Sequence, residues 1–140
     1  MDKIEKITIK SFSGYGPCDL SYYDKLVVTD NSISYEKFPM NESKENPKIK
    51  WAYRSNHPQF IEVFNQACLE VEKLFAIENM IYICDGTSYD ITVTYDTKKR
   101  ISEHFACDYE VYEPLFKAIK KLVPSLESIP DAIQTEEDWG

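Results

Sequence analysis

Ser88-Tyr89-Asp90-Ile91-Thr92-Val93-Thr94-Tyr95 alternates apolar and polar side chains without a break. A strand repeats every two residues, so Tyr89, Ile91, Val93 and Tyr95 share one face, and Ser88, Asp90, Thr92 and Thr94 share the other. One face is suited to a core and the other to solvent or a partner. That division belongs to a sheet covered by helices on one side only.

Outward from this segment the signals are turns and further strands. Asp85-Gly86 is a hairpin dipeptide, which makes Met80 to Cys84 a strand before it, and Ile101 to Ala106 supplies a third after it. Pairing Ile101 with Tyr95 and Phe105 with Ile91 keeps the large apolar residues on one side. His104 then faces Thr92, with Asp90 and Thr94 diagonal to it and Ser102 two residues away. Tyr112, Leu115, Phe116, Ile119, Leu122 and Val123 follow at helical spacing. Pro114 predicts an irregular turn over 109–112 and a regular helix only from about residue 113.

The preceding half has the same order. Lys25 to Thr29 and Ile33 to Phe38 form a hairpin around Asp30-Asn31-Ser32, a polar loop spans Pro39 to Pro47, and Lys48 to Arg54 alternates again. Asn56 is placed to cap the next helix, with His57 and Pro58 in its first turn. Phe60, Val63, Phe64, Ala67, Cys68, Val71, Leu74 and Phe75 make its apolar stripe. Two βββα units are therefore expected, over 25–75 and 80–123, after a first strand within Lys6 to Phe12. The acidic tail, 124–140, is expected to be mobile at its end. The predicted fold is a single two-layer α+β domain over 1–140: a mainly antiparallel sheet of about seven strands with two helices on one face.

Composition excludes several function classes. With 43% hydrophobic and 14% aromatic residues, the chain can offset its ordering entropy and is not a disordered protein. Its apolar runs are far shorter than the ~20 residues that cross a bilayer, so no membrane association is expected. The N-terminus, Met1-Asp2-Lys3-Ile4-Glu5-Lys6, lacks an apolar signal core, which predicts a cytoplasmic protein. Cys18, Cys68, Cys84 and Cys107 lack the spacing of zinc modules and read as reduced thiols; Cys68, in the helical stripe, is expected to be buried and inert. Sixteen basic against 24 acidic residues oppose nucleic-acid binding and read first as a solubilising charge, with docking on a basic protein partner, or mimicry of nucleic acid, as the alternative.

Two surfaces remain as candidate sites. The first is the polar sheet face of Ser88, Asp90, Thr92, Thr94, Ser102 and His104. The second surrounds Gly14-Tyr15-Gly16-Pro17, a loop whose glycines and proline allow sharp backbone conformations and around which Tyr15, Tyr22 and Tyr23 are placed. Ser102, His104 and Asp90 resemble a triad by type, but an open strand face offers no oxyanion hole and no enclosing walls. His104-x-x-Cys107 resembles a metal pair, but an odd separation on one strand sends the two side chains to opposite faces. Lys98-Lys99-Arg100 reads as a solvated hairpin tip, with a small anion as its alternative ligand. No catalytic residue, metal or cofactor is expected. The expected function is non-enzymatic binding of another macromolecule by an acidic inhibitor, immunity or regulatory protein. A small-molecule module with a pocket between sheet and helices, and an enzyme of unknown class, are the alternatives.

Overall fold

A computed structural model describes residues 3–12, 22–39, 48–76, 88–105 and 109–122. They form β1 (Ile4–Phe12), β2 (Tyr22–Thr29), β3 (Ser32–Pro39), β4 (Ile49–Arg54), α1 (Pro58–Phe75), β5 (Ser88–Tyr95), β6 (Arg100–Phe105) and α2 (Tyr109–Lys120). The strands make one antiparallel sheet of six in the order β4-β3-β2-β1-β5-β6. The domain is therefore α+β. Its first four strands are a simple meander, and the β5–β6 hairpin, arriving after α1, docks on the remaining edge of β1.

Both helices cover the same face. Ile7 and Ile9 of β1, Leu26 and Val28 of β2, Ile33 and Tyr35 of β3, and Tyr89, Ile91 and Val93 of β5 join Phe64, Ala67, Val71 and Leu74 of α1 and Leu115, Phe116 and Ile119 of α2 in one core. The alternation of β5 and the stripe of α1 thus fall as their periods require. Each fully buried large side chain in such a core contributes ~1.5–3 kcal/mol. Ile4 also reaches the core, although it is three residues from Ile7, because the β1–β5 register shifts by one between Ile4 and Lys6. The extra residue restores the inward direction of Ile4.

Three local expectations change, and a fourth is not confirmed among the described residues. His57, not Asn56, caps α1: its Nδ1 accepts the amide of Gln59 at 3.1 Å, with Pro58 at the first helical position. Proline forces the residue before it into an extended conformation, and His57 at ψ 133° has the geometry a cap requires. Secondly, α2 begins at Tyr109 and runs through Pro114. The missing N–H would have bonded a carbonyl of the first turn, so one hydrogen bond is forfeited while Leu115, Phe116 and Ile119 stay buried.

The third change is the β5–β6 register. Val93 pairs with Ile101 and Tyr89 with Phe105, two residues away from the expected pairing. The turn is tighter than the sequence implies: Lys98 adopts φ 71°, Lys98 N–H donates to the Tyr95 carbonyl at 2.9 Å, and Tyr95 N–H donates to the Lys99 carbonyl at 2.9 Å. Such a three-residue loop commonly holds glycine at its left-handed position, and a lysine there gives no such signal.

Finally, the described residues contain six strands rather than seven, and the βββα repeat is not found among them. Met80 to Cys84, the proposed first strand of the second unit, lies outside the described residues. β5 has β1 on one side and β6 on the other, so β1 occupies the place beside β5 that a strictly repeated meander would give to its own first strand.

Candidate functional site

Because directly paired residues share a face, the register fixes the composition of the face opposite the helices. It consists of three rows that cross all six strands. At one end run Arg54, Ser32, Thr29, Lys6, Thr94 and Arg100, with the hydroxyls of Thr29 and Ser32 at 2.6 Å where β2 turns into β3. The middle row is Ala52, Ser34, Val27, Thr8, Thr92 and Ser102. The third is Lys50, Glu36, Lys25, Lys10, Asp90 and His104. Beyond it Tyr23, paired with Phe38, stacks on that ring with centroids 4.6 Å apart. The polar surface read from β5 and β6 therefore continues through β1 to β4.

The structure brings Asp90, Thr92, Ser102 and His104 together in a form set by the corrected register. His104 faces Asp90 directly, Nδ1 to Oδ1 at 2.6 Å, and Ser102 Oγ lies 2.9 Å from Thr92 Oγ1. The serine is thus engaged with a threonine while the imidazole is engaged with the carboxylate. Both side chains of the Asp–His pair are well exposed, at 38% and 57%. Thr94 differs from its neighbours. It is only 8% exposed and lines a depression of about 420 Å³ with Glu5, Lys6, Thr29, Asp30, Asn31, Lys98 and Arg100. Ser88 and Tyr22 lie at the starts of β5 and β2, Tyr23 is partly exposed at the far end of the face, and Tyr15 lies outside the described residues.

Sequence reading missed a polar cluster on the covered face. Asp24 is fully buried; its Oδ1 accepts a hydrogen bond from the Ser11 hydroxyl and its Oδ2 accepts one from Tyr35 Oη at 2.9 Å. Ser11 is the direct cross-strand partner of Asp24, and Tyr35 is on the next strand. Burial foremost, and then the charge of Asp24, push the Tyr35 phenol far above its ordinary value. A phenol so perturbed is a committed hydrogen-bond donor rather than an acid. The available signal was the alternation itself: Asp24 stands two and four residues before Leu26 and Val28, on the inward face.

Cys68 is half-buried in α1, and burial, followed by the charge of Glu72, pushes its thiol up to about 12. Cys18, Cys84 and Cys107 lie outside the described residues. Among the described residues no three His, Cys, Asp or Glu side chains are grouped to hold a metal ion, and no helix is long and apolar enough to cross a membrane. No known family model matches the chain, and no curated protein matches its sequence.

Proposed function

We propose that the protein is a non-enzymatic binding domain that docks another protein on its open sheet face. The observation that supports this reading is the asymmetry of the sheet: both helices lie on one side, and three rows, polar except for Ala52 and Val27, cross six strands on the other. Six strands span about 24 Å, and with about 20–25 Å along the strands the face projects roughly 500–600 Å², near the ~800 Å² that each partner contributes to a standard protein interface. A flat surface of this kind suits a macromolecule better than a metabolite, which needs concave walls to bury most of its surface. Among the described residues the Asp90–His104 pair has no oxyanion site or dry pocket beside it, which favours binding over catalysis.

The test is a steric block at the centre of the face. Thr8 lies between Val27 and Thr92 in the middle row, so a bulky Thr8→Trp substitution should disrupt docking without touching the core. A partner identified by cross-linking to the native protein should lose at least tenfold in affinity for Thr8→Trp, while Leu69→Lys on the exposed side of α1 changes nothing. Equal binding by Thr8→Trp and the native chain would remove the sheet face from consideration.

A further inference from the structure

The chain as a whole is acidic, 24 acidic against 16 basic residues, yet its open face is not. The three rows carry six cations, Lys6, Lys10, Lys25, Lys50, Arg54 and Arg100, and two carboxylates, Glu36 and Asp90. The two carboxylates stand in the same row, together with three of the cations. The end row, Arg54, Lys6 and Arg100, contains no acid at all.

The end row is also the one with relief. Lys6 and Arg100 are the direct cross-strand neighbours of Thr94 on its two sides, and all three line the 420 Å³ depression. Of the other charged groups there, Lys98 and Glu5 are joined to each other at 3.2 Å, while Asp30 is exposed. Among the described residues neither Lys6 nor Arg100 forms an ion pair. Two cations with the Thr94 hydroxyl between them, and no ion-pair partner among the described residues, form a receptor for a carboxylate or similar oxyanion.

We infer that the open face receives an acidic polypeptide segment, with carboxylates on the Arg54–Lys6–Arg100 row and uncharged polar groups over Ser34, Thr8, Thr92 and Ser102. This rests on the open face being the docking surface, and it reverses the partner charge that the net charge of the chain implies. Net charge governs long-range approach, but contact is decided by the charges within a Debye length of the interface, ~8–10 Å. The spacing suits a peptide. Two strand spacings separate Lys6 from Arg100, about 9–10 Å, and three separate Lys6 from Arg54, about 14 Å, close to the reach of residues i and i+4 on one side of an extended segment.

A nucleic-acid strand is the weaker fit. Its phosphates carry a charge at every nucleotide, so a strand wide enough to cover the face would lie over Glu36 and Asp90 while approaching a chain of net charge −8. Tyr23 and Phe38 are stacked on each other, instead of being presented singly as platforms for bases.

The experiment is an amide-shift titration of the isotope-labelled full chain at about 50 mM salt, where surface electrostatics are least screened. Three probes are compared: a capped peptide of about twelve alternating Glu and Ser residues, its Lys-Ser counterpart, and an oligouridylate of similar length. The Glu-Ser peptide should give saturable shifts largest at Lys6, Thr94 and Arg100. Affinity should fall at least tenfold in Lys6→Glu/Arg100→Glu and severalfold at about 300 mM salt. If the charge-reversed chain fails to fold, Lys6→Gln/Arg100→Gln should still weaken the peptide.

Unchanged amides in that row, equal shifts with the Lys-Ser peptide, or tighter binding of the oligouridylate at the same amides would each overturn the inference. A partner sensitive to Thr8→Trp combined with a Glu-Ser peptide that leaves the row untouched would remove the acidic chemistry and keep the docking face. Insensitivity of the partner to Thr8→Trp would remove both.

Discussion

The two faces of the sheet each carry an aspartate held by side-chain hydrogen bonds, and the pair shows what burial does to the same chemistry. Asp24 is fully buried and accepts from two hydroxyls, Ser11 and Tyr35; Asp90 is partly exposed and meets one partner, His104, at 2.6 Å. On the open face water competes for both members, and such pairs contribute about 0.2–1 kcal/mol. Under the helices no water replaces a lost partner, so each orphaned donor incurs its desolvation penalty. The aspartate's hydrogen bonding is therefore structural on one face and optional on the other.

The largest expected effect follows from this contrast. Asp24→Ala strands the hydroxyls of Ser11 and Tyr35 and should destabilise the protein by about 3–5 kcal/mol, whereas Asp90→Ala should change stability by less than about 1 kcal/mol. Urea melts of the two variants measure both, and equal effects would break the distinction between the faces. Tyr35→Phe removes one donor and leaves Asp24 its bond from Ser11, so about 1.5–3 kcal/mol should be lost, between those limits.

The covered side should also confer an alkaline limit on stability. The Cys68 thiol titrates at about 12 in the folded chain against an ordinary value of 9.0, so the unfolded chain loses its proton first as pH rises. Its contribution is complete below pH 9 and is lost between pH 9 and about 12; the raised Tyr35 phenol acts in the same direction from its ordinary value of 10.0 upward. Denaturant melts across pH 8 to 11 should show stability falling with pH, with a shallower fall in Cys68→Ala. At pH 8 the raised pKa keeps Cys68 as the thiol, so peptide-resolved alkylation should mark it more slowly in the folded chain than in the unfolded chain. Rapid modification without unfolding would contradict the burial.

Periodic features were legible in the sequence. The alternation of Ser88 to Tyr95 and the stripe from Phe60 to Phe75 report burial directly, because a packed face must recur at the period of its element. The polar face of β5 was legible for the same reason. Register was not, because it is decided by turn geometry: a left-handed Lys98 moved His104 from Thr92 to Asp90. Nor was the basic character of the open face. Lys6, Lys25, Arg54 and Arg100 lie far apart in the chain, and only the strand order β4-β3-β2-β1-β5-β6 sets them side by side.

The turn offers a gain in stability. Lys98 holds φ 71° at a cost of about 1–2 kcal/mol relative to a right-handed conformation, a penalty glycine escapes while losing more chain entropy on folding. Its ion pair with Glu5 joins two largely exposed side chains and adds little. Lys98→Gly should therefore stabilise the domain by about 0.5–1 kcal/mol in urea melts, with the Asp90–His104 pairing unchanged. Destabilisation would show that the Glu5 contact outweighs the backbone term.

The smallest effect separates stability from recognition most directly. Lys10 and Lys25 are direct cross-strand partners at the centre of the open face, and like charges opposite one another are unfavourable. Glu36 flanks Lys25 and Asp90 flanks Lys10, but Asp90 has its carboxylate on His104, so Lys10 is the less compensated of the two. Replacing Lys10 with threonine, a good strand former, should stabilise the fold by a few tenths of a kcal/mol, roughly 0.2–0.5, and more at low salt than at high. A solubilising surface would gain from that exchange at no functional loss. A face that receives carboxylates would not: the same Lys10→Thr substitution should weaken the Glu-Ser peptide two- to threefold, less than the change at Lys6 and Arg100 because Lys10 lies in the row that already holds acids. Stabilisation with peptide affinity unchanged would confine recognition to the end row, and a loss larger than that of Lys6→Glu/Arg100→Glu would move its centre to the third.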